Sequence, residues 1–471
     1  MMRDAKVVPF VTPLARGRLA ARVVDRYHEP APEQPVGSLG APKQMEPGVA
    51  RFSVHSEVGK LRTVLVHRPG LSLERLTPSN RADFLFDDVV WVERAQKEHD
   101  DFVAVMRDRG VEVLELQELL AQTFAASTEA RLAVVERAVS SFTVGLSFVT
   151  DLRAYLLALS SQDLARVVVG GLLIGELDGL DLAKLGRHSL GAIMSGCDTF
   201  VLPPLPNTMF TRDSSAWIYG GVVLPPLYSY AQRLEVVNVA AIYRFHPDFV
   251  GADFEFWYPP GGDDRRFSVE DFGHGASLEG GDIMPIGNGA VLVGMGERST
   301  GRMVEHIARS LFAAGAAERV IACRMEQDRA YMHLDTVFNM VDRNAATTYP
   351  PVVDTMRVYS LRPGSDGHDV FDITEERGLV EAVADALGER RLRVIPTGGD
   401  ESRASREQWD DANNVVALEP GVVIAYSKNT ATNAALRDGG IEVIEIEGAE
   451  LGKGRGGCHC MTCPLLRDDL D

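Results

Sequence analysis

The sequence predicts an α/β fold, and two observations carry this prediction. Patterns of strand, turn, strand and helix recur about five times at uneven spacings of roughly 50 to 80 residues, as expected of a radial repeat. A stretch rich in alanine and leucine, residues 117–190, interrupts these units and nearly lacks strand signals. An ordinary mixed α/β domain would show a similar pattern, so both architectures stay open on the patterns alone.

Composition limits the class of protein and its partners. The 471 residues are 45% hydrophobic and 24% charged, which is ordinary for a globular chain with a sizeable core. The formal net charge of −19 argues against nucleic acid or an anionic membrane as a partner, because both need clustered lysine and arginine. The longest apolar run, 167–175, is short of the roughly 20 residues of a membrane helix. Five cysteines and no visible secretory segment predict a reducing, cytoplasmic location without a disulfide framework.

The first elements can be predicted in chain order. Residues 1–50 are rich in proline and mix both charges, so we interpret them as a disordered extension before a catalytic domain at 51–471. The stretch KLRTVLVHRPG (60–70) predicts a buried strand that ends at a Pro-Gly turn. An amphipathic helix follows over 91–110 and ends at Gly110, and VEVLEL returns to strand. The helical insertion of 117–190 comes next.

Four hairpins are predicted in the second part of the chain, each around a turn rich in glycine, asparagine or proline. Two helical patterns lie between them, at 300–315 and 379–388. The hairpins span residues 216–224, 284–294, 338–349 and 415–427.

Polar motifs stand immediately before or at the start of these hairpins. They read FTRD (210–213), LEGGD (278–282) and MHLDTVF (332–338). Residues at the ends of strands in separate repeats can converge on the axis of a radial fold. His333 and Asp335 would share one face if their run is a strand. The residues that we expect to converge are Asp213, Glu279, Asp282, His333, Asp335 and Cys460.

The stretch GRGGCHCMTCP (454–464) allows three kinds of site. A thiol nucleophile is one, because the glycines permit close packing against a substrate. A redox pair of Cys460 and Cys463 is another, although Pro464 follows at once. The third is zinc, but two of its cysteines are one residue apart and no second ligand pair exists. Its nominal ligands would be Cys458, His459, Cys460 and Cys463.

Several longer motifs resemble bacterial arginine deiminases in order and spacing. They are HSEVGKLRTVLVHRPG, LTPSN, LFDDVVWV, PLPNTMFTRD, LEGGDIMPIG, MHLDTVF, REQWDDANNVV, and GRGG followed by HCMTCP. The resemblance covers residues 52–469. It implies a five-bladed α/β propeller (pentein) with an inserted helical domain. It also implies hydrolysis of L-arginine to citrulline and ammonia without metal or cofactor, by a homo-oligomer.

The same resemblance implies roles for particular residues. Asp213 and Asp335 would bind the planar guanidinium, whose donors match carboxylates. Cys460 would attack the guanidinium carbon, and His333 would act as acid and then as base with Glu279 as its partner. At the amino-acid end of the substrate, the resemblance implies contacts from Asn207, from Arg298 to the α-carboxylate, from the backbone at Gly454, and from Arg455 as a mobile gate.

Two departures from the family put the substrate in question. Gln232 aligns with a carboxylate-binding arginine of many relatives, and losing one charge-assisted hydrogen bond weakens binding by about 1.5–3 kcal/mol. Either Arg233 substitutes, or the enzyme prefers another guanidino compound, such as agmatine or a methylated arginine. Cys458 stands where relatives more often have no thiol, and the stretch 259–272 is longer than usual without an assigned role. A zinc or redox module built on the Cys458–Cys463 cluster remains the alternative from a different class.

Overall fold

The computed structural model of the chain covers four stretches of sequence. The predicted extension 1–50 lies outside them, as does nearly all of the 259–272 stretch. Within them, no helix combines the length and the apolar character that crossing a membrane requires. The described residues are 51–178, 190–259, 276–365 and 367–470.

One strand arrangement recurs in five of the sheets of the described residues. In four of them an antiparallel hairpin is followed by a crossover to a third strand that runs parallel to the second strand of the hairpin. In the fifth, strands from opposite ends of the chain replace the hairpin. The first strands are β1 (Leu61–Val66), β2 (Glu112–Glu115), β3 (Leu172–Leu173), β4 (Phe200–Leu202), β5 (Ala216–Ile218), β6 (Gly221–Val223), β7 (Glu255–Tyr258), β8 (Ile283–Gly287) and β9 (Ala290–Met295). The others are β10 (Arg319–Arg324), β11 (Phe338–Asp342), β12 (Ala345–Thr348), β13 (Arg357–Gly364), β14 (Gly367–Glu375), β15 (Arg393–Pro396), β16 (Val416–Glu419), β17 (Val422–Tyr426), β18 (Glu442–Ile446) and β19 (Cys463–Arg467).

The five recurring sheets differ in size, and one strand pair stands apart from them. β13 and β14 extend the β8–β9–β10 sheet to five strands, and β3 pairs with β4 alone. The three-stranded sheets are β19–β1–β2, β5–β6–β7, β11–β12–β15 and β16–β17–β18.

Helices form the crossovers and the stretch between β2 and β3. The predicted helices at 91–110, 300–315 and 379–388 are confirmed within two residues of their ends. The helices are α1 (Leu71–Glu74), α2 (Val92–Asp108), α3 (Leu116–Ala126), α4 (Thr128–Ala138), α5 (Ser141–Val144), α6 (Val149–Ala158), α7 (Ser161–Gly170), α8 (Leu190–Met194), α9 (Thr211–Ser214), α10 (Arg233–Phe245), α11 (Gly301–Ala313), α12 (Pro350–Val353), α13 (Leu379–Ala386), α14 (Glu401–Trp409) and α15 (Thr430–Asp438).

The helices α3 to α7 span residues 116–170 and so cover most of the described part of 117–190, where the sequence predicts a helical insertion. Residues 179–189 of that stretch lie outside the described residues. These helices do not have a core of their own. Leu120 of α3 and Leu164 of α7 belong to the same buried cluster as Trp217 of β5 and Tyr243 of α10. Burial of this shared apolar surface therefore attaches the helices to the sheet that follows them.

The predicted hairpin turns are present, with one shifted by a residue. Asn288 and Gly289 connect β8 to β9 with φ of 51° and 66°, the left-handed conformation that asparagine and glycine tolerate. The first hairpin turns at Tyr219 and Gly220 rather than at Gly220 and Gly221, because Gly221 pairs with Ile218 inside the sheet. Tyr219 takes a φ of 49° there, and its hydroxyl donates to the Ala290 carbonyl at 2.8 Å.

Strand β19 completes the sheet that β1 begins. The two strands run antiparallel, with Leu61 opposite Arg467 and Val64 opposite Pro464. The segment just before β1 also reaches neighbouring sheets through bridges from Val54 to Tyr219 and from Ser56 to Ile286. These pairings bring residues 53–57 and the turn before β19 to the same part of the molecule.

Arg467 provides a test of how strongly this pairing is held. Its side chain is buried, and Nη1 donates to the carbonyls of Gly59 at 2.7 Å and Ala417 at 2.8 Å. We expect Arg467→Met to lower the free energy of unfolding by about 2–4 kcal/mol, because it leaves two buried carbonyls without a donor. The matched control is Arg62→Met, which removes an exposed ion pair to Asp468 and should change stability by less than about 1 kcal/mol. Urea denaturation of both variants measures the difference, and equal losses would contradict this account.

Candidate active site

The polar motifs converge as the sequence predicts. The Arg212 backbone N–H donates to the Cys460 carbonyl at 3.1 Å, and the Leu334 N–H donates to Asp282 Oδ1 at 2.8 Å. Each hydrogen bond joins segments that precede different sheets. These segments are α9 before β5, the 3₁₀ turns Gly280–Asp282 before β8 and Leu334–Thr336 before β11, and the turn at Cys460 before β19.

The run MHLDTVF is not a strand at His333 and Asp335, so the condition for a shared strand face is not met. His333 is extended, and a 3₁₀ turn begins at Leu334. The Thr336 hydroxyl closes this turn by donating to the His333 carbonyl at 2.7 Å, and Asp282 accepts the Leu334 N–H from the other side. The turn nevertheless brings a ring nitrogen of His333 and a carboxylate oxygen of Asp335 within 4.8 Å of each other and of Cys460 Sγ.

His333 lies between two acidic side chains. Its Nε2 is 2.6 Å from Glu279 Oε2, and its Nδ1 is 3.6 Å from Asp213 Oδ1, too far for a direct hydrogen bond. Arg298 Nη1 donates to the same Glu279 oxygen at 3.0 Å, while Glu279 Oε1 accepts the Tyr228 N–H at 3.2 Å. Both oxygens of Glu279 are thus satisfied, and this fixes the orientation of the His333 ring.

The charges of this group follow from burial and from neighbouring charges. Burial would lower the pKa of His333, but Asp213 and Glu279 outweigh it and raise that pKa to about 10. Burial would raise the pKa of Glu279, but Arg298 and His333 lower it to about 2. For Asp213, burial together with Glu279 and Asp335 raises the pKa to about 7, against the attraction of His333. An imidazolium therefore faces an ionised Glu279 at neutral pH, beside a carboxyl that is partly protonated.

The thiol of Cys460 forms hydrogen bonds with two side chains. Sγ lies 3.3 Å from Asp335 Oδ2, to which it donates, and Asn414 Nδ2 donates to Sγ at 3.1 Å. Burial raises the pKa of Cys460 well above its usual value, and Asp335 and Asp213 raise it further. The thiol is therefore neutral in the free protein, and a cation brought next to it would favour the thiolate.

Asn414 is a residue of this site to which the sequence analysis assigns no role. Its Oδ1 accepts the Cys460 backbone N–H at 3.0 Å, and its Nδ2 donates to Sγ and to the Asp335 carbonyl at 3.2 Å. One amide therefore fixes both the backbone and the thiol of Cys460. Its motif REQWDDANNVV is part of the family resemblance, but an asparagine between two elements is also a common turn residue.

A narrow cavity lies beside Cys460, with room of about 10 Å³ for a molecule the size of water. Glu279 and Asp335 do not line it and lie behind His333 and Cys460. Arg233 is also absent from the lining, and its guanidinium lies 5.5 Å from the ring centre of exposed Tyr230. The predicted residues that line the cavity are Asp213, His333, Cys460, Asn207, Arg298, Gln232, Gly454 and Arg455, together with Leu85, Phe210 and Met332.

The residues predicted for the amino-acid end differ in how they are engaged. Arg298 Nη1 also donates to Gln232 Oε1 at 3.3 Å, and Asn207 Nδ2 donates to the Phe84 carbonyl at 2.9 Å. Arg455 stacks on the Trp409 ring at 3.5 Å and donates to its carbonyl, with a left-handed φ of 65°. Its predicted role as a mobile gate stays a prediction.

Glu235 is a second residue that the sequence analysis does not identify. It lies on α10 three residues after Gln232, it is 1% exposed, and neither of its carboxylate oxygens has a hydrogen-bond partner. Burial raises its pKa well above the usual range, and Asp213 and Glu279 raise it further. A buried carboxyl without a hydrogen-bond partner therefore lies on α10, although a glutamate on an amphipathic helix would be expected to face solvent.

Two groups of three side chains, which share His333, each bring possible metal ligands near one another. The first is His333, Asp335 and Cys460, and the second is Asp213, Glu279 and His333. Their donor atoms already bond to each other, as in the contact of His333 with Glu279. Among the described residues, neither group includes Cys458 or Cys463. Cys463 Sγ donates to the Ser215 carbonyl at 3.3 Å, and both nitrogens of His459 face carboxylates. The four nominal zinc ligands of the C-terminal cluster are therefore not assembled around one point.

Comparison with known proteins identifies the family. A family model for arginine deiminase matches residues 82–467, most of the chain. The chain belongs to the arginine deiminase family.

Solved structures are also similar to this family member. SxtG, an amidinotransferase from Microseira wollei in the saxitoxin biosynthetic pathway, is 13% identical with a TM-score of 0.51, over 89% of this chain and 98% of that one. DDAH from Pseudomonas aeruginosa is 13% identical with a TM-score of 0.45, over 86% of this chain and 99% of that one. At such identities the similarity to SxtG shows a common α/β fold.

Gly281 of the LEGGD motif tests the packing around His333. A Cβ atom at this position would lie 2.6 Å from His333 Nδ1, while Glu279 holds the other side of the ring. We expect Gly281→Ala to lower the free energy of unfolding by about 1–3 kcal/mol, the usual cost of overpacking a core. Gly296→Ala is the control, because its Cβ would make only an ordinary contact of 3.6 Å with Met325. If urea denaturation gives the same stability for both variants, the ring is not confined as described.

Proposed function

We propose that this chain is an arginine deiminase, which hydrolyses L-arginine to L-citrulline and ammonia. One observation carries the proposal: a buried thiol, an imidazolium and the Asp213 carboxylate line one cavity, and the Asp335 carboxylate, which does not line it, contacts the thiol at 3.3 Å. The cavity has Arg298 on its wall, where a substrate carboxylate could be bound. The family assignment supports the same reaction class, because the family is named for it.

Unsatisfied acceptors support binding of a guanidinium group. Asp213 Oδ1 and Asp335 Oδ1 are both buried without a hydrogen-bond partner. Leaving such atoms unpaired costs about 1–3 kcal/mol each, so a ligand that supplies N–H donors is favoured. Guanidinium is planar, carries five N–H donors and stays charged, which matches two carboxylates better than an ammonium does.

The positive charge of the substrate also prepares the nucleophile. Bound beside Cys460, it offsets the negative charge of Asp335 and Asp213, which otherwise holds the pKa of the thiol high. The Cys460 thiol then releases its proton to solvent, and the thiolate attacks the guanidinium carbon and forms a C–S bond. A thiolate is a stronger nucleophile than the scarce hydroxide present at neutral pH.

His333 completes both halves of the reaction. As an imidazolium it donates its proton to the departing nitrogen, the C–N bond breaks, and ammonia leaves a covalent thiouronium on Cys460. The neutral ring then takes a proton from water, which attacks the same carbon. The C–S bond breaks as the second proton of that water passes to the departing sulfur, so citrulline is released and the thiol is regenerated. Glu279, at 2.6 Å, stabilises the protonated ring at the start of this cycle.

A second substrate is favoured by one observation at the amino-acid end. The charge of Arg298 is already opposed by Glu279 at 3.0 Å, and Gln232 supplies an acceptor rather than a second cation. Arg233 does not line the cavity. The cavity lining therefore does not support the idea that Arg233 takes the role of the arginine that Gln232 replaces. Agmatine, which has the guanidinium but no carboxylate, is therefore the alternative substrate, and a methylated arginine is a weaker one.

Several further features belong to the same proposal. The five recurring sheets support a five-bladed α/β propeller of the pentein type, with the helices of 117–190 as its insertion. By analogy with relatives, we propose a homo-oligomer. The cysteine content supports a cytoplasmic enzyme, and the chemistry described above uses no cofactor.

The first experiment measures citrulline and ammonia from purified protein given L-arginine, with agmatine in parallel. We expect turnover of L-arginine, and complete loss in Cys460→Ala, because no other thiol lines the cavity in the described residues. Cys458→Ala is the matched control and should remain active. Turnover of agmatine alone would refute arginine as the substrate, and activity of Cys460→Ala would refute the nucleophile.

The pH dependence gives a second test. Because the pKa of Asp213 in the free protein is about 7, this carboxyl is increasingly protonated below that pH and loses its attraction for the guanidinium. We expect kcat/KM for L-arginine to fall as the pH drops through 7. Asp213→Asn should lower kcat/KM by about ten- to hundredfold above pH 7, the effect of one charge-assisted hydrogen bond.

Asp411 is the control for this pH dependence. Burial raises its pKa to about 7 as well, but it does not line the cavity. Its φ of 62° is a conformation that asparagine tolerates, so Asp411→Asn should fold normally. If Asp411→Asn, rather than Asp213→Asn, abolishes the acid limb of the profile, the assignment to Asp213 is wrong.

A further inference from the structure

His459, the residue before the nucleophile, lies between two carboxylates. Its Nδ1 is 2.8 Å from Asp335 Oδ2 and its Nε2 is 3.1 Å from Glu57 Oε2. All three side chains are at most 2% exposed, so water does not screen these contacts. Glu57 comes from the segment before β1, and His459 from the turn before β19, which are the two ends of the described chain.

The geometry fixes the number of protons that this group holds. A carboxylate only accepts hydrogen bonds, whereas a neutral imidazole has a single N–H. Two contacts of this length therefore require either an imidazolium or one protonated carboxyl. Arg212 donates to both oxygens of Glu57, at 3.1 and 3.4 Å, and Arg467 adds a positive charge nearby. Although burial opposes ionisation, Arg212 and His459 lower the pKa of Glu57 to about 2.

Asp335 is ionised for a related reason. Burial would raise its pKa, but the hydrogen bond from His459 and the positive charges of His459 and His333 lower it. With both acids ionised, both carboxylates accept hydrogen bonds, and the ring between them is the donor. The side chains from Arg212 through Glu57 and His459 to Asp335 therefore form a continuous series of contacts that ends at the Cys460 thiol.

We propose that His459 is a positioning residue whose Nδ1–H donates to Asp335 and holds its carboxylate in the orientation that guanidinium binding needs. Its N–H occupies Asp335 Oδ2 and leaves Oδ1, the buried atom without a partner, for the substrate. The same oxygen Oδ2 is the acceptor for Cys460, at 3.3 Å. An oxygen that already accepts a hydrogen bond from the ring is a poorer proton acceptor, so Asp335 does not take up the proton of the thiol when Cys460 ionises. This role rests on the proposed function, because it assumes a guanidinium ligand.

The donor atom can be identified without any turnover. Nitrogen-15 NMR of histidine-labelled protein shows which ring nitrogens carry a proton. We expect Nδ1 of His459 to carry one, because it lies 2.8 Å from Asp335 Oδ2. His99 is the internal control: it is equally buried, but neither of its ring nitrogens has a hydrogen-bond partner, so its signals should lack the shift that a strong hydrogen bond causes. A His459 ring without a proton on Nδ1 would overturn the proposal.

Variants of His459 separate orientation from packing. In His459→Asn the amide nitrogen is attached to the same carbon as ring Nδ1, so it keeps a donor for Asp335, whereas His459→Ala keeps none. We expect His459→Ala to raise the KM by about ten- to hundredfold and His459→Asn to recover part of this loss. Equal kinetics of both variants, at equal stability in urea, would refute a role in orienting Asp335.

Glu57→Gln provides the decisive comparison, because Glu57 does not contact Asp335 or Cys460. The amide still offers an oxygen to His459 but no charge, so we expect it to hold the ring less firmly and the KM to rise. Retention of the wild-type KM in Glu57→Gln would show that the series of contacts does not act on Asp335.

Binding measurements distinguish this proposal from the proposed function. Guanidinium binding can be measured directly by calorimetric titration of L-arginine and of agmatine. The titrations use Cys460→Ala and the double variant that also carries His459→Ala. Weaker binding of either ligand in the double variant supports the role of His459. If only agmatine binds and His459→Ala weakens it, arginine as substrate is refuted but this inference stands. If neither ligand binds to Cys460→Ala, both proposals are refuted.

Discussion

The antiparallel pairing of β19 with β1 is the constraint on which the site depends. These strands come from opposite ends of the described chain, and their register fixes the turn that carries His459 and Cys460. The same pairing brings Glu57, just before β1, against His459. Arg467 secures the arrangement from within, since its buried guanidinium donates to carbonyls of two other segments. Without this pairing, neither the thiol nor the carboxylates behind it would have a defined place.

Once these segments meet, charge balance determines what each group can do. Buried carboxylates are unstable unless cations or hydrogen bonds compensate them, and the site contains more acids than bases. Arg298 and His333 compensate Glu279, and Arg212 and His459 compensate Glu57 and Asp335. The positive charge near Asp213 is not enough to offset its burial and the neighbouring acids, so its pKa is raised to about 7. A cationic ligand would supply the missing charge, so binding and activation of the thiol follow from one electrostatic need.

The sequence predicts much of the local structure correctly, and the reason is periodicity. The amphipathic helix at 91–110 and the turn at Asn288 and Gly289 are set by neighbouring residues, and both appear where predicted. Local pattern fails where tertiary contacts override it. Tyr219 adopts a left-handed turn because its hydroxyl bonds to Ala290 on another sheet, and Leu334–Thr336 becomes a 3₁₀ turn because Asp282 and the Thr336 hydroxyl satisfy its backbone.

The sequence by itself determined the family, the predicted catalytic residues and the strand-end placement of their motifs. These features are local, because motifs and turns depend on neighbouring side chains. Only the tertiary structure decided which side chains surround the predicted catalytic residues. Asn414 lies against the thiol, His459 lies between two carboxylates, and Glu235 is buried without a hydrogen-bond partner. It also decided that Arg233 does not line the cavity. Such roles depend on contacts between residues up to 402 positions apart, and on burial that turns a weak surface charge into a strong one.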